Sequence, residues 1–322
     1  MEYRYLGSTG LKVSELCLGT MQFGWTADES QSYRILSEAY EAGVNLLDTA
    51  DVYSRWVEGN PGGVAESIIG KWMDNYKIPR HQVVIATKVR SRVGEGPNDE
   101  GLSRAHIFDA VEASLRRLKT DYIDLYQAHW YDEHTPIEET LRSFDDLISQ
   151  GKVRYIGCSN YPAWRLTEAL WTSEHYRLSR YASLQPHYSL VHRAEFEREL
   201  ADVCRTYGLA VIPYSPLAAG FLTGKYRQGE TVESARLRGA SRHFNERNWA
   251  LLQHIEGIGK GRGRASISQI ALAWLLTDPL ITSPIIGPRT LEQLKDNLGA
   301  AGLRLSQEEK QTLDEASRWE NA

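Results

Sequence analysis

The stretch YIDLYQAHWYDEHTPIE, residues 122–138, carries two signals in succession. Tyr122–His129 is a short, largely apolar run of the kind that forms a strand covered on both faces. Thr135-Pro136-Ile137-Glu138 then reads as a helix start, with a capping threonine, a proline at the first helical position and a capping-box glutamate. A strand followed within a few residues by a helix is the unit of a parallel α/β fold. Outward from this stretch the unit recurs. The other strand-like runs are Leu16–Gly19, Val44–Asp48, Val83–Lys88, Val153–Ser159, Tyr181–Gln185, Leu209–Ser215 and Pro284–Gly287, eight in all with the first. Ser266-Ile267-Ser268-Gln269 opens a helix with Ile267, Ile270, Ala271, Trp274 and Leu275 on one face, and Thr290-Leu291-Glu292-Gln293 opens the next. Eightfold alternation predicts an α/β fold of the (β/α)8 TIM-barrel type. A doubly wound open sheet is the alternative, but no GxGxxG follows the first strand.

Three features lie outside the alternation. Tyr3–Leu6 and Val13–Leu16 flank Gly7-Ser8-Thr9-Gly10 and predict a β-hairpin plugging the N-terminal end of the barrel. Ser306-Gln307-Glu308-Glu309 starts an extra C-terminal helix. Residues 216–263, rich in Gly, Arg and Ser, form a long insertion between the seventh strand and its helix. Long structureless loops are uncommon in compact domains and are usually functional. No stretch reads as a linker, so residues 1–322 are expected to form a single domain.

Composition narrows the function classes. Net charge is −5, with acidic and basic residues mixed along the chain, which argues against a nucleic-acid partner. No apolar run is long enough for a membrane helix, and the N-terminus has no signal-peptide pattern, so a cytoplasmic location is expected. The three cysteines, Cys17, Cys158 and Cys204, form neither a disulfide framework nor a zinc pattern.

In a (β/α)8 barrel the active site lies where the strands end. The ends here are Gly19-Thr20, Asp48, Lys88, His129, Ser159-Asn160, Gln185, Tyr214-Ser215 and Gly287. A barrel built for stability alone needs no such ring of polar groups. Asp48 and Lys88 end neighbouring strands, where each favours the charge of the other. Tyr53, five residues past Asp48, can fold back over the barrel mouth. A lysine ammonium beside its hydroxyl is expected to lower its pKa toward neutrality and make it a usable proton donor. His129 is placed to hydrogen-bond a substrate oxygen. The four together suit an oxygen that gains negative charge, as in hydride transfer to a carbonyl with the hydride supplied by a cofactor. No HxH or HExxH pair is present, and no metal is expected.

These residues stand in longer stretches: LGSTGLKVSELCLGTMQFG (6–24), VNLLDTADVYSR (44–55), VVIATKV (83–89), YIDLYQAHW (122–130), VRYIGCSNY (153–161), SLQPHYSL (183–190), VIPYSPLAAGFLTGKY (211–226) and IIGPRTLEQLKDN (285–297). By them the chain resembles the aldo-keto reductase family over nearly its whole length. It is most similar to the bacterial reductases of the branch that also holds potassium-channel β-subunits. The resemblance implies a reductase of aldehyde or ketone carbonyls whose catalytic tetrad falls on Asp48, Tyr53, Lys88 and His129, with Tyr53 the proton donor. It also implies a set of cofactor contacts. Ser159, Asn160 and Gln185 would hold the nicotinamide carboxamide, and Tyr214 would stack on the ring. Ser215, Leu217, Ala219 and Lys225 would follow the pyrophosphate. Thr20, Met21 and Asp48 would line the first strands' side, and Arg236 would help clamp the cofactor. Gly287, Arg289, Gln293 and Asn297 match the adenosine-end motif. Many members bind the 2′-phosphate with a lysine and an arginine, and those places here are Gly287 and Gln293. Arg289 can supply the charge, so NADPH is the expected cofactor, with NADH as the alternative. Partners would be small-molecule carbonyl substrates, with no nucleic acid and no membrane.

Plainer readings stand beside these. Asp48 and Lys88 would also serve as a structural ion pair. Gln293 is a natural helix-capping residue, and Arg289 a solvated first-turn arginine. Trp25 and Trp130 are candidate substrate-pocket walls, with Trp56, Tyr131 and Phe244 behind them, although loop aromatics also pack for stability alone. A cofactor-binding regulatory subunit is the rival function, but channel β-subunits typically carry asparagine where this chain has His129. A metal-dependent barrel hydrolase is the second rival.

Overall fold

The structure, a computed structural model, describes residues 1–319 apart from 231, 233 and 235. A two-stranded antiparallel hairpin, β1 (Tyr3–Tyr5) and β2 (Lys12–Ser14), precedes eight parallel strands. These are β3 (Cys17–Gly19), β4 (Leu46–Asp48), β5 (Val84–Val89), β6 (Ile123–Ala128), β7 (Val153–Ser159), β8 (Ser183–Gln185), β9 (Ala210–Val211) and β10 (Ile285–Ile286). They neighbour one another in chain order, and β10 pairs with β3. Closure between β9 and β10 is made by the Thr282 N–H donating to Val211 O and the Ile285 N–H donating to Pro213 O, both at 2.8 Å. All eight expected strands are present, and the sheet is a barrel.

The strands are shorter than the apolar runs that announce them. In Leu209–Ser215 the ladder covers only Ala210–Val211, because Pro213 has no N–H to donate and Pro216 follows at once. Tyr214 and Gly287 therefore lie just beyond their strands rather than at their ends. Tyr214 keeps strand-like pairing through a bridge to His187.

Helices flank the barrel: α1 (Glu29–Glu41), α2 (Val64–Asn75), α3 (Arg104–Leu118), α4 (Ile137–Ser149), α5 (Ala163–Tyr176), α6 (Ala201–Tyr207), α7 (Leu237–Ala240), α8 (Glu246–Gly261), α9 (Ile267–Thr277), α10 (Leu291–Leu298) and α11 (Gln307–Ala316). Ser266 and Ser306 form reciprocal capping boxes with Gln269 and Glu309, as their patterns predict. The box expected at Thr135 does not form. Thr135 donates its hydroxyl to Asp132 at 2.7 Å, Pro136 takes the cap position, and Glu138 pairs with Arg142 one turn on. The insertion 216–263 is not structureless either. It holds α7 and the sixteen-residue α8, capped by Asn245 and buried through Leu251, Leu252 and Ile255. Glycines at 257, 259 and 261 dilute its helical pattern in the sequence.

Two cores result. Outside the sheet, apolar residues of strands and helices merge into one layer running from Leu16 to Leu313. Inside it, Leu6 and Val13 of the hairpin join Cys17, Leu46, Val84, Ala86, Leu125, Ala182, Ala210, Ile212 and Ile285. The hairpin thus plugs the barrel bottom. Gly7 has φ +57°, and a Cβ there would lie 2.7 Å from the Ala210 nitrogen, so this turn tolerates only glycine. With the bottom filled, polar groups collect at the opposite face. No helix among the described residues is long and apolar enough to cross a membrane.

Candidate active site

The strand register sets the site. Gly19 pairs with Asp48, Asp48 with Ala86, Lys88 with Gln127, and Ser159 with Gln185. Since side chains alternate across a strand, Asp48, Lys88, Gln127 and Gln185 all point into the top of the barrel. Lys88 is fully buried, and its ammonium makes three contacts: Asp48 Oδ2 at 2.7 Å, the Thr49 carbonyl at 2.8 Å and the Tyr53 hydroxyl at 2.9 Å. Asp48 Oδ1 in turn accepts from Gln185 Nε2 at 2.7 Å and from Gln127 Nε2 at 3.5 Å. A buried ammonium has three N–H bonds, and here each has an acceptor.

Protonation follows from this packing. Burial disfavours charge on Lys88, but Asp48 and Tyr53 outweigh it and raise its pKa, so it is a fixed cation. For Tyr53 the expected direction is reversed. Burial pushes its pKa up to about 12; Lys88 pulls it back only part of the way, and Asp48 opposes even that. The phenol is therefore held protonated rather than primed as a phenolate. His129 is pulled well below its usual range by burial first, then by Lys88 and Arg90, so its imidazole is neutral. Its Nδ1 is buried with no hydrogen-bond partner among the described residues. The ring stands edge-on to Tyr53 at 6.1 Å and stacks on Trp130 at 4.4 Å.

A second network continues along the rim. Ser159 donates to the Gln185 carbonyl at 2.8 Å. Asn160, with φ +58°, donates to the His129 carbonyl and to Ser159 Oγ, both at 3.0 Å, and accepts from the Tyr214 hydroxyl at 2.9 Å. Asparagine is one of the few residues that tolerate that backbone. The Tyr214 ring is backed by His187, parallel at 5.0 Å, which is backed by His192 at 3.7 Å. Beyond Tyr214, residues Ser215, Ala218, Ala219 and Gly220 all have positive φ, folding the chain tightly along the cavity wall.

These groups line a single cavity of about 730 Å3. Asp48, Tyr53 and His129 border it, and so do Thr20, Met21, Ser159, Asn160, Gln185, Tyr214, Ser215, Leu217, Ala219, Lys225, Arg236, Gly287, Arg289, Gln293 and Asn297. Lys88 lies beneath Tyr53. Arg236 is half-buried, and both burial and the nearby Arg289 lower its pKa. Among the described residues neither arginine has a carboxylate partner. Gln293 is partly committed elsewhere: its Oε1 accepts the Arg289 N–H at 2.9 Å, holding the residue before the Thr290 cap.

Of the candidate pocket walls, Trp130 borders the cavity and Trp25 does not. Trp25 turns outward, 37% exposed, edge-on to Trp56 at 5.7 Å, with the Arg236 guanidinium 5.5 Å from its ring. Trp56 is the wall residue, and Trp25 braces it. Tyr131 packs on Tyr161 and Trp164, and Phe244 on Phe221, Tyr226 and Trp249. Gln22 and Gln127 are site residues that the sequence reading passes over. Gln22 Nε2 ties Gly19 O to Pro288 O at 2.8 and 2.9 Å. Gln127 was detectable, since it is two residues before His129 and shares its face; Gln22 sits in a loop with no such signal.

Residues 15–318 match the profile of the aldo/keto reductase family. The chain is 42% identical to an uncharacterized oxidoreductase, YrpG, of Bacillus subtilis, over 96% of this chain and 93% of that one. It is 34% identical to the versiconal hemiacetal acetate reductase of Aspergillus parasiticus, over 98% and 96% of the two chains. It is also 36% identical to a probable voltage-gated potassium channel subunit beta of Oryza sativa, over 93% and 91%.

Proposed function

The chain belongs to the aldo/keto reductase family and is an NAD(P)H-dependent oxidoreductase acting on carbonyls; from that premise we propose that it reduces aldehydes or ketones with NADPH and that Tyr53 is the proton donor. The observation that carries this reading is the Lys88–Tyr53 contact at 2.9 Å, with the other two Lys88 N–H bonds already taken. Because the Tyr53 oxygen accepts from Lys88, its own proton is directed elsewhere, and the cavity is what it faces.

The residues present fit a dinucleotide cofactor. Arg236 and Arg289, which have no carboxylate partner among the described residues, suit phosphate groups. The left-handed turn through Ser215–Gly220 is the kind of backbone that presents N–H groups to an anion. Tyr214 offers a ring braced by His187, and Ser159, Asn160 and Gln185 offer polar groups beside it. Asn297, buried but bordering the cavity, suits the adenosine end together with Gly287 and Gln293. Thr20 and Met21 would close the side along the first strands, and Leu217, Ala219 and Lys225 the pyrophosphate side. When bound, the cofactor supplies the hydride.

The chain's own groups do the rest. His129 is neutral, and its Nδ1 faces no acceptor, which favours the tautomer with the proton on Nε2. That N–H orients the substrate carbonyl. Tyr53 gives its proton to the carbonyl oxygen as negative charge develops there. Its high pKa keeps the proton in place until that moment, and the fixed Lys88 cation stabilises the phenolate left behind. Asp48 holds Lys88 in position. Trp56 and Trp130 shape the substrate side. The three free buried cysteines suit a reducing, cytoplasmic setting. An NADPH-oxidation screen over aldehydes, diketones, sugars and steroid ketones, repeated with NADH, tests the reading; no turnover with any carbonyl would overturn it.

A further inference from the structure

The chain's charge is unevenly placed. Residues 216–263 hold eight of the 37 Lys and Arg but only four of the 42 Asp and Glu, a net of +4, which leaves −9 for the rest of the chain. The excess is concentrated further: residues 236–247 contain Arg236, Arg238, Arg242 and Arg247 against Glu246 alone. Elsewhere in the insertion cations are answered. Arg227 and Lys260 share Glu256, and Arg262 pairs with Glu309. Arg238, Arg242 and Arg247 are exposed and pair with no carboxylate among the described residues.

The fold sets this cluster beside the cavity. α7 leans on the left-handed turn of the cavity wall: a Cβ on Gly239 would lie 3.1 Å from that of Ala219. Arg236, just before α7, borders the cavity, and Arg238 follows two residues on. The turn after α7, Ser241–His243, contains Arg242 and sets the His243 ring 6.0 Å from that of Phe221, the residue after Gly220 in the wall. Arg247 is the second residue of α8, at the positive end of the helix dipole, where a cation is unfavourable. Neither that placement nor the clustering of like charge helps the fold. An approaching anion would relieve both.

We propose that Arg238, Arg242 and Arg247 form an encounter surface that steers the anionic cofactor into the cavity and favours NADPH over NADH by rate of association. This rests on the dinucleotide reading of the cavity. None of the three lines the cavity, so they act through their field rather than by contact with the bound cofactor. A patch of one sign beside a cleft raises the on-rate of an oppositely charged ligand by about 10–10³-fold. Here it also counters the −9 carried by the rest of the chain, which would repel a polyanion. The 2′-phosphate adds about 1.5–2 negative charges, so NADPH gains more than NADH. Charges outside the contact set change association and its salt dependence and leave dissociation and chemistry alone.

The test follows NADPH association by stopped-flow tryptophan fluorescence. At an ionic strength of about 10 mM the Debye length is about 30 Å. There the combined variant Arg238→Gln, Arg242→Gln, Arg247→Gln should associate about three- to ten-fold more slowly than wild type, with koff, and kcat at saturating NADPH, unchanged. At about 1 M the Debye length is about 3 Å, and the two rates should coincide. NADH should lose less than NADPH. Replacing the same three arginines by lysine keeps the charge and should keep the wild-type rate, which separates charge from damage to the fold. Equal low-salt rates in wild type and the glutamine variant overturn the proposal. So does a lysine variant as slow as the glutamine one, or a wild-type rate indifferent to salt. Salt-sensitive, arginine-dependent NADPH association by a protein that reduces no carbonyl would sink the reductase reading and leave the steering surface standing. Failure to bind either dinucleotide would sink both.

Discussion

Lys88 donates to the Tyr53 hydroxyl at 2.9 Å while Asp48 and the Thr49 carbonyl occupy its two remaining N–H bonds. The lysine can neither rotate away nor give up its charge without leaving Asp48 buried and unpaired. Tyr53 is thereby fixed as an acceptor on one side and a donor on the other. Tyr53→Phe removes the donor and leaves the cofactor-lining groups in place. Carbonyl reduction should fall by about 10²–10⁴-fold. NADPH affinity, followed by fluorescence titration, should stay near the wild-type value. A near-normal rate would remove Tyr53 from the mechanism.

Lys88→Met exposes the other half of the relationship. Breaking a buried pair by removing one partner typically costs about 3–5 kcal/mol, and Asp48 here is only 2% exposed. The urea midpoint should drop accordingly, and turnover should vanish. Adding Asp48→Asn should recover part of the stability but none of the activity. A Lys88→Met protein as stable as wild type would show that Asp48 is protonated or hydrated in the native state.

The pH behaviour has two opposed edges. Tyr53 binds its proton more tightly in the folded chain than in the unfolded one. Its contribution to stability is complete below the ordinary tyrosine value of about 10 and is lost as pH rises toward about 12. His129 binds its proton less tightly when folded, so its contribution is lost as pH falls below about 6.5. Thermal midpoints of wild type and Tyr53→Phe should therefore diverge only on the alkaline side, and those of wild type and His129→Asn only on the acid side. kcat/KM should show no alkaline limb near neutrality. A limb with an apparent pKa near 7 would mean that Lys88 outweighs burial after all.

The two cavity arginines, Arg236 and Arg289, make separable predictions. Arg289→Gln should weaken NADPH by about ten-fold while changing NADH little, since a guanidinium–phosphate bond is worth about 1.5–3 kcal/mol. Arg236→Ala should weaken both cofactors. Isothermal titration with each cofactor measures this. Equal losses for NADPH and NADH in Arg289→Gln would take the 2′-phosphate away from that residue.

The inward placement of the proposed catalytic residues on their strands was legible in the sequence because it follows local periodicities. A two-residue alternation puts Asp48, Lys88 and Gln127 on the inner face of their strands, and serine caps at 266 and 306 announce their helices by short-range hydrogen bonds alone. What only the tertiary structure decided depends on sums over distant atoms. The protonation of Tyr53 is one case: the lysine beside it can be read from the sequence, but the desolvation that outweighs that lysine comes from the whole barrel mouth. The outward turn of Trp25 and the helix at Glu246–Gly261 beneath its diluting glycines are others. Each is fixed by which partners the closed barrel brings within reach, and no window of the sequence contains those partners.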